Sequence, residues 1–115
     1  MATAHAQVKA PISLMMPLIA SYKSMENIER ESTVAKRLGV EPTALVNYKN
    51  GERRVPDHAL ALLADRLEMP MGDVIAAANI GLMRTDADEE EFWMQRIQDE
   101  RMKKLANDFR KWRRL

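Results

Sequence analysis

The sequence contains no cysteine, and this absence removes several classes of protein at once. A disulfide framework, a thiolate metal site and a cysteine nucleophile all require thiol groups. A chain without cysteine suits a reducing compartment, so we expect a cytoplasmic protein. No run of 18 or more apolar residues occurs, and the sequence therefore predicts no transmembrane helix and no membrane partner.

The chain also lacks the residue groups that usually carry catalysis or bind metals. Its two histidines, His5 and His58, have no carboxylate partners at metal-ligand spacing. A Ser-His-Asp set, a glycine-rich phosphate loop and an HExxH motif are missing. The acidic run 86–91 does not have the spacing of an EF-hand loop. We therefore expect no enzyme, no cofactor and no small-molecule substrate.

Strand signals are absent, and the apolar residues recur at helical spacing along the chain. Helices are predicted over about 12–28, 31–38 and 42–50, with Gly51 as the stop of the third. The fourth follows Asp57, its candidate N-cap, and carries an apolar stripe of Leu60, Leu63, Ala64 and Leu67. The fifth starts near Pro70 and can end at Gly81, and a sixth covers about 87–112. The fold class is therefore all-α. We expect a compact five-helix domain over residues 12–82, with a flexible tail (1–11) before it. A linker and a C-terminal helix (83–115) follow the domain.

The segment 31–50 pairs two helices that are each too short to be stable alone in water. Gly39 is predicted to end the first helix with a positive φ, and Pro42 suits the first turn of the second. The residues predicted to face inward are Val34, Ala35, Leu38, Leu45 and Tyr48. The pair must therefore pack on a common core, which holds the second helix outward.

Further residues complete the pattern: Val40, Asn50-Gly51, the basic pair Arg53-Arg54, and Pro56. The whole set resembles the helix-turn-helix of the phage-repressor-like (lambda-repressor-like) DNA-binding family. The resemblance covers about seventy residues and extends more weakly through the next two helices. The order of motifs up to EEEFW (89–93) is similar to small regulators of bacterial phages and prophages. The resemblance implies a helical domain whose second motif helix (42–50) lies in the major groove.

A helical wheel places five residues of this helix outward: Pro42, Thr43, Val46, Asn47 and Asn50. The resemblance implies that Thr43, Val46 and Asn47 contact bases, with Pro42 beside them on the same face. Asn47 has the donor and acceptor that pair with adenine, and Val46 suits a thymine methyl group. Proline at position 42 departs from the polar residue that is common in the family, which removes one possible base contact.

The resemblance further implies that six residues bind DNA phosphates: Lys36, Arg37, Lys49, Asn50, Arg53 and Arg54. Such contacts set the register of the protein on DNA and do not read its sequence. Glu31 and Glu41 lie near the expected phosphate path, where carboxylates repel. Glu41 has two alternative roles, as a cap of the second helix or as an acceptor for a cytosine amino group.

The C-terminal helix has acidic residues at its start, basic residues at its end, and a set of large apolar residues. We expect Phe92 and Trp93 to dock on the first and fifth helices, and the rest to pair with a second subunit. The predicted dimer interface comprises Phe92, Trp93, Ile97, Met102, Leu105, Phe109 and Trp112. The alternative is a helix that packs entirely within its own chain. A two-fold dimer would read a palindrome with half-sites about one helical turn (~34 Å) apart.

These features favour a homodimeric regulator of transcription that binds double-stranded operator DNA in a bacterial host cell. The resemblance favours a phage or prophage repressor. Two alternatives remain open. One is a protein-interaction adaptor, or an antitoxin-like partner, that binds through the C-terminal helix. The other is a membrane-surface protein that uses the basic C-terminus, against which the mixed charges of that helix argue.

Overall fold

The computed structural model describes residues 13–113, and this part of the chain is all-helical, with seven helices and no strand. The helices are α1 (Met15–Met25), α2 (Glu31–Leu38), α3 (Pro42–Lys49), α4 (Asp57–Leu67), α5 (Met71–Asn79), α6 (Ala87–Met94) and α7 (Glu100–Arg113). The predicted all-α class is confirmed. The predicted count of five helices and one C-terminal helix is wrong by one. The predicted tail (1–11) lies outside the described residues.

The core is built around α4, which packs against α1, α2 and α5. Its inner face carries the apolar stripe that the sequence predicted, and all four residues are buried: Leu60, Leu63, Ala64 and Leu67. Because these residues recur at helical spacing, the helix has one wide apolar face to cover. α3 packs on α1 and α2, so the helix pair rests on this core from one side.

The turn between α2 and α3 forms as the sequence predicted. Gly39 has a φ of 72°, which ends α2, and Pro42 occupies the first turn of α3. Nε2 of His58 lies 3.0 Å from the carbonyl oxygen of Gly39 and ties the turn to the start of α4. The expectation of Asp57 as the N-cap of α4 is wrong. Pro56 holds that position, and Asp57 begins the helix.

The predicted single C-terminal helix is divided into α6 and α7 by the segment 95–99. The buried carboxylate of Asp73 accepts the backbone N–H groups of Gln98 and Asp99, which holds the break against α5. Arg101 then donates to the carbonyl oxygens of Leu67 and Glu68, at the end of α4. The chain therefore turns back, and α7 packs on its own domain.

Candidate nucleic-acid interface

The outer face of α3 carries the predicted base-contact residues on a helix whose inner face is fully packed. Ala44, Leu45 and Tyr48 are buried in the core. Pro42, Thr43 and Val46 are exposed, with 58% of Val46 accessible to solvent, and Asn47 is half-buried. The predicted orientation of the helix is therefore confirmed. Whether this face contacts DNA remains a prediction.

Three hydrogen bonds fix the C-terminal end of α3. The Ser13 hydroxyl donates to the carbonyl oxygen of Lys49 over 2.9 Å. The carbonyl oxygen of Asn47 accepts the N–H groups of Glu52 at 2.9 Å and Arg53 at 3.3 Å. These bonds satisfy carbonyl groups that the end of a helix leaves without partners. The side chains on the outer face are thus held by a rigid backbone.

Three of the predicted phosphate-binding cations already bind carboxylates. Arg37 Nη1 lies 2.9 Å from Glu26 Oε1, and Lys49 Nζ lies 2.7 Å from Glu31 Oε1. Arg54 Nη1 lies 3.0 Å from an oxygen of Asp57. These cations would have to exchange a carboxylate for a phosphate on binding DNA. Asn50 is the one uncharged residue among the predicted phosphate ligands, and its Nδ2 lies 3.4 Å from Oε1 of Glu52.

Lys36 and Arg53 differ from these three residues. Both are exposed, and within the described residues neither has an acidic partner. The guanidinium carbon of Arg53 lies 5.6 Å from the centre of the Tyr48 ring, a distance typical of a cation–π contact. The ring orients the cation beside the end of α3. Of the predicted phosphate ligands, Lys36 and Arg53 are therefore the cations that would bind phosphate without first losing a carboxylate.

Two carboxylates each bridge two helices near this surface. Glu31 accepts from Lys23 of α1 and from Lys49 of α3, and these hydrogen bonds lower the pKa of Glu31. Glu26 accepts from Arg66, and also from Arg37, and these bonds lower its pKa in the same way. The sequence indicated that Glu31 would repel phosphate. It did not indicate that Glu31 pairs with a predicted phosphate ligand.

The turn after α3 contacts the turn after α5, which sequence reasoning missed. The N–H of Met83 donates to the carbonyl oxygen of Gly51 over 2.8 Å. Gly51 has a φ of 77°, and a Cβ at this position would lie 2.2 Å from the carbonyl oxygen of Gly81. Positive φ at Gly51 agrees with the predicted stop of the helix. The contact partner lies thirty residues away, where no local signal marks it.

The predicted dimer residues fall into two groups. Ile97, Met102 and Phe109 are buried in the core of their own chain, and Trp93 and Leu105 pack partly against it. Phe92 is 44% exposed, and Trp112 is half-buried. Within a single chain, the later part of the helix therefore packs on its own domain, as in the alternative that the sequence left open, and pairing with a second subunit stays a prediction. A dimer surface that includes the buried residues would require the fold to open.

Phe92 lies on α6, which packs against α5, but its ring remains largely exposed. Its ring contacts Trp93 edge to face at 5.2 Å, and the guanidinium carbon of Arg96 lies 3.5 Å from its centre. This aromatic cluster stays at the surface of α6.

Within residues 13–113, no group of three or more His, Asp or Glu side chains is placed to hold a metal ion. No helix in this part of the chain is long and apolar enough to cross a membrane. No known protein family, curated protein or solved structure matches the chain.

Proposed function

We propose that the protein is a sequence-specific regulator of transcription that inserts α3 into the major groove of double-stranded DNA. The observation that carries this proposal is the outer face of α3. An eight-residue helix is held by a packed inner face and presents Pro42, Thr43 and Val46 to solvent, with Asn47 at its edge. The B-DNA major groove is wide enough to admit one α-helix.

The exposed side chains suit the edges of A·T pairs. Val46 exposes an apolar surface that water solvates poorly, and a thymine methyl group would cover it. Asn47 would pair with N6 and N7 of adenine, and the Thr43 hydroxyl and methyl groups suit either base edge. Pro42 supplies a contact surface but no donor.

Cations on both sides of α3 would position the helix. Lys36 on α2 and Arg53 after α3 are exposed and bind phosphate without first losing a carboxylate. Such contacts fix the orientation of the protein on the duplex. Arg37, Lys49 and Arg54 would add contacts only where phosphate displaces Glu26, Glu31 or Asp57.

The biological role that we propose is that of a phage or prophage repressor. One helix-turn-helix reads few base pairs, so a homodimer bound to a palindromic operator would supply the remaining specificity. Occupancy of the operator would block transcription. Because Met102 and Phe109 are covered by their own chain, we place the dimer contact on exposed residues such as Phe92.

Selection of bound duplexes from a random pool tests this proposal. The wild type should enrich a palindrome, and Asn47→Ala should relax the preference at one position per half-site, at a cost of about 1–3 kcal/mol. Arg53→Ala should weaken binding to all sequences alike and flatten the dependence of affinity on salt. Leu62→Ala is the matched control, since Leu62 is an exposed apolar residue on α4.

Two outcomes would separate the candidate functions. Enrichment that is lost in Asn47→Ala but kept in Leu62→Ala supports reading by α3. No enrichment by the wild type at low salt would contradict the proposal. The adaptor function would then gain support, with the exposed Phe92 ring and its half-buried neighbour Trp93 on α6 as the surface to test.

A further inference from the structure

The turn 82–85, which joins α5 to α6, is fixed to the end of α3. The N–H of Met83 donates to the carbonyl oxygen of Gly51 over 2.8 Å, and the N–H of Thr85 donates to that of Leu82 over 3.0 Å. Leu82 is buried and anchors the turn from below. The backbone of the turn therefore moves with the end of α3.

This turn presents Met83 and Arg84 to solvent. Met83 is 72% exposed, and Arg84 is exposed beside it. Within the described residues, Arg84 makes no ion pair with a carboxylate. The nearest acid along the chain, Asp86, accepts the N–H of Glu89 as the N-cap of α6. Arg84 thus resembles Lys36 and Arg53, and differs from the paired cations of this surface.

Arg84 and Arg53 lie on two turns that are hydrogen-bonded to each other. Arg53 follows Gly51 by two residues, and Arg84 follows Met83 by one, while Gly51 and Met83 are hydrogen-bonded to each other. Two cations on hydrogen-bonded turns attract anions to the same part of the surface. The phosphate groups of a DNA strand would supply such anions in a row.

We propose that Arg84 is a further contact to the DNA backbone, which binds phosphate beside the group held by Arg53. This inference rests on the proposed function and extends its contact surface beyond the helix-turn-helix, to a segment thirty residues later. Arginine suits the role because its planar guanidinium binds two phosphate oxygens at once. The turn 82–85 thereby couples the α5–α6 connection to DNA.

The test compares Arg84→Gln, Arg84→Lys and the control Lys104→Gln by fluorescence anisotropy. Lys104 is exposed on α7, and within the described residues it has no carboxylate partner, so the control removes the same charge elsewhere. Affinities are measured for the selected operator and for an unrelated duplex at several salt concentrations. Arg84→Gln should lower the affinity for both duplexes by the same factor, about 3- to 10-fold, and lower the salt slope by about 0.9. Arg84→Lys should restore the slope.

The possible results separate this inference from the proposed function. If Arg84→Gln and Lys104→Gln lose equally little affinity, the inference is overturned, while sequence selection by the wild type still supports the proposed function. If Arg84→Gln changes preference at one base position only, Arg84 reads a base, and the phosphate contact is wrong. If the wild type binds duplexes without selection, the proposed function fails, and the slope still reports whether Arg84 binds phosphate.

Discussion

The carboxylate of Asp73 holds the backbone of Asp99: its Oδ2 accepts the Asp99 N–H over 2.7 Å. The same carboxylate accepts the N–H of Gln98 at 3.2 Å. Asp73 belongs to the first turn of α5 and is 1% exposed. Burial removes the water around this carboxylate, so hydrogen bonds from the protein must replace it. The pair therefore fixes the break that allows α7 to fold back.

Asp73→Ala should destabilise the protein by about 2–4 kcal/mol, because it leaves two N–H groups without their acceptor. Asp73→Asn should cost less, since one amide oxygen remains to accept. Chemical denaturation measures both. Asp65→Ala, at an exposed position of α4, is the control and should change the free energy of unfolding by less than about 0.5 kcal/mol. Equal effects of the two alanine variants would contradict a structural role for Asp73.

The difference between the predicted and observed C-terminal helices lies at residues 95–99 (QRIQD). These residues contain neither glycine nor proline to end α6, and the contact with Asp73 comes from more than twenty residues earlier. A local signal is Asp99, whose carboxylate accepts the N–H groups of Arg101 and Met102 at the start of α7. In contrast, Gly39 and Pro42 set the ends of α2 and α3 locally, and the sequence predicted both helices correctly.

The candidate interface shows the same division. The helical wheel predicted the exposed face of α3 because Leu45 and Tyr48 identify the inner face. The state of the cations was not predictable from local pattern. Lys49 pairs with Glu31 from a distance of eighteen residues, and Arg37 with Glu26 from eleven. Charge counts along a sequence do not identify such pairs, since the tertiary fold brings the partners together.

Met102→Ala should test whether α7 is a core element or a dimer element. Met102 is 0% exposed in a single chain, so its loss should cost about 2–5 kcal/mol. The midpoint of thermal unfolding should fall by the same amount at all protein concentrations. Phe92→Ala, which removes an exposed ring, should cost much less. A loss in Met102→Ala that diminishes as protein concentration rises would instead place Met102 between subunits.

Gly51→Ala should be strongly destabilising, whereas Gly72→Ala should not. At Gly51 the φ of 77° is unfavourable for alanine, and the added Cβ would lie 2.2 Å from a backbone oxygen. We expect a cost of about 2 kcal/mol or more. At Gly72, in the first turn of α5, a Cβ meets no atom within 4 Å. Thermal unfolding should therefore show an unchanged or slightly higher midpoint for Gly72→Ala. Similar losses at both glycines would contradict the close contact between the two turns.

Glu26 and Glu31, the two bridging carboxylates, should make the free energy of unfolding fall as the pH becomes acidic. Hydrogen bonds from Arg66 and Arg37 lower the pKa of Glu26 in the folded state, and those from Lys23 and Lys49 lower that of Glu31. A lowered folded pKa means that the stabilisation is present above the unfolded value of about 4.5 and is lost as pH falls through the folded value.

The double variant Glu26→Gln/Glu31→Gln should therefore lose less unfolding free energy than the wild type when pH falls below about 4.5. Urea denaturation at a series of pH values measures this difference. Glu29→Gln is the control, since Glu29 is exposed and has no ion pair within the described residues. Parallel acid profiles for the double variant and the wild type would show that these ion pairs do not contribute.

Glu31→Gln should also strengthen binding to DNA of any sequence. The substitution removes the carboxylate that pairs with Lys49, so this predicted phosphate ligand becomes available. The affinity for an unrelated duplex should rise, and the salt slope should steepen by up to about 1. The ratio of operator to unrelated affinity should fall, because phosphate contacts carry no sequence information. Anisotropy titrations at several salt concentrations measure all three quantities.

Asp88→Asn separates the release of Lys49 from a change in net charge. Asp88 is exposed on α6, and no cation among the described residues pairs with it. Its substitution removes the same charge and should raise affinity only slightly, because salt largely screens long-range repulsion between exposed charges. If Glu31→Gln and Asp88→Asn raise the affinity for DNA equally, Glu31 acts only through the net charge of the protein. A larger gain and a steeper slope for Glu31→Gln would indicate that this carboxylate limits binding to non-operator DNA by occupying a phosphate-binding lysine.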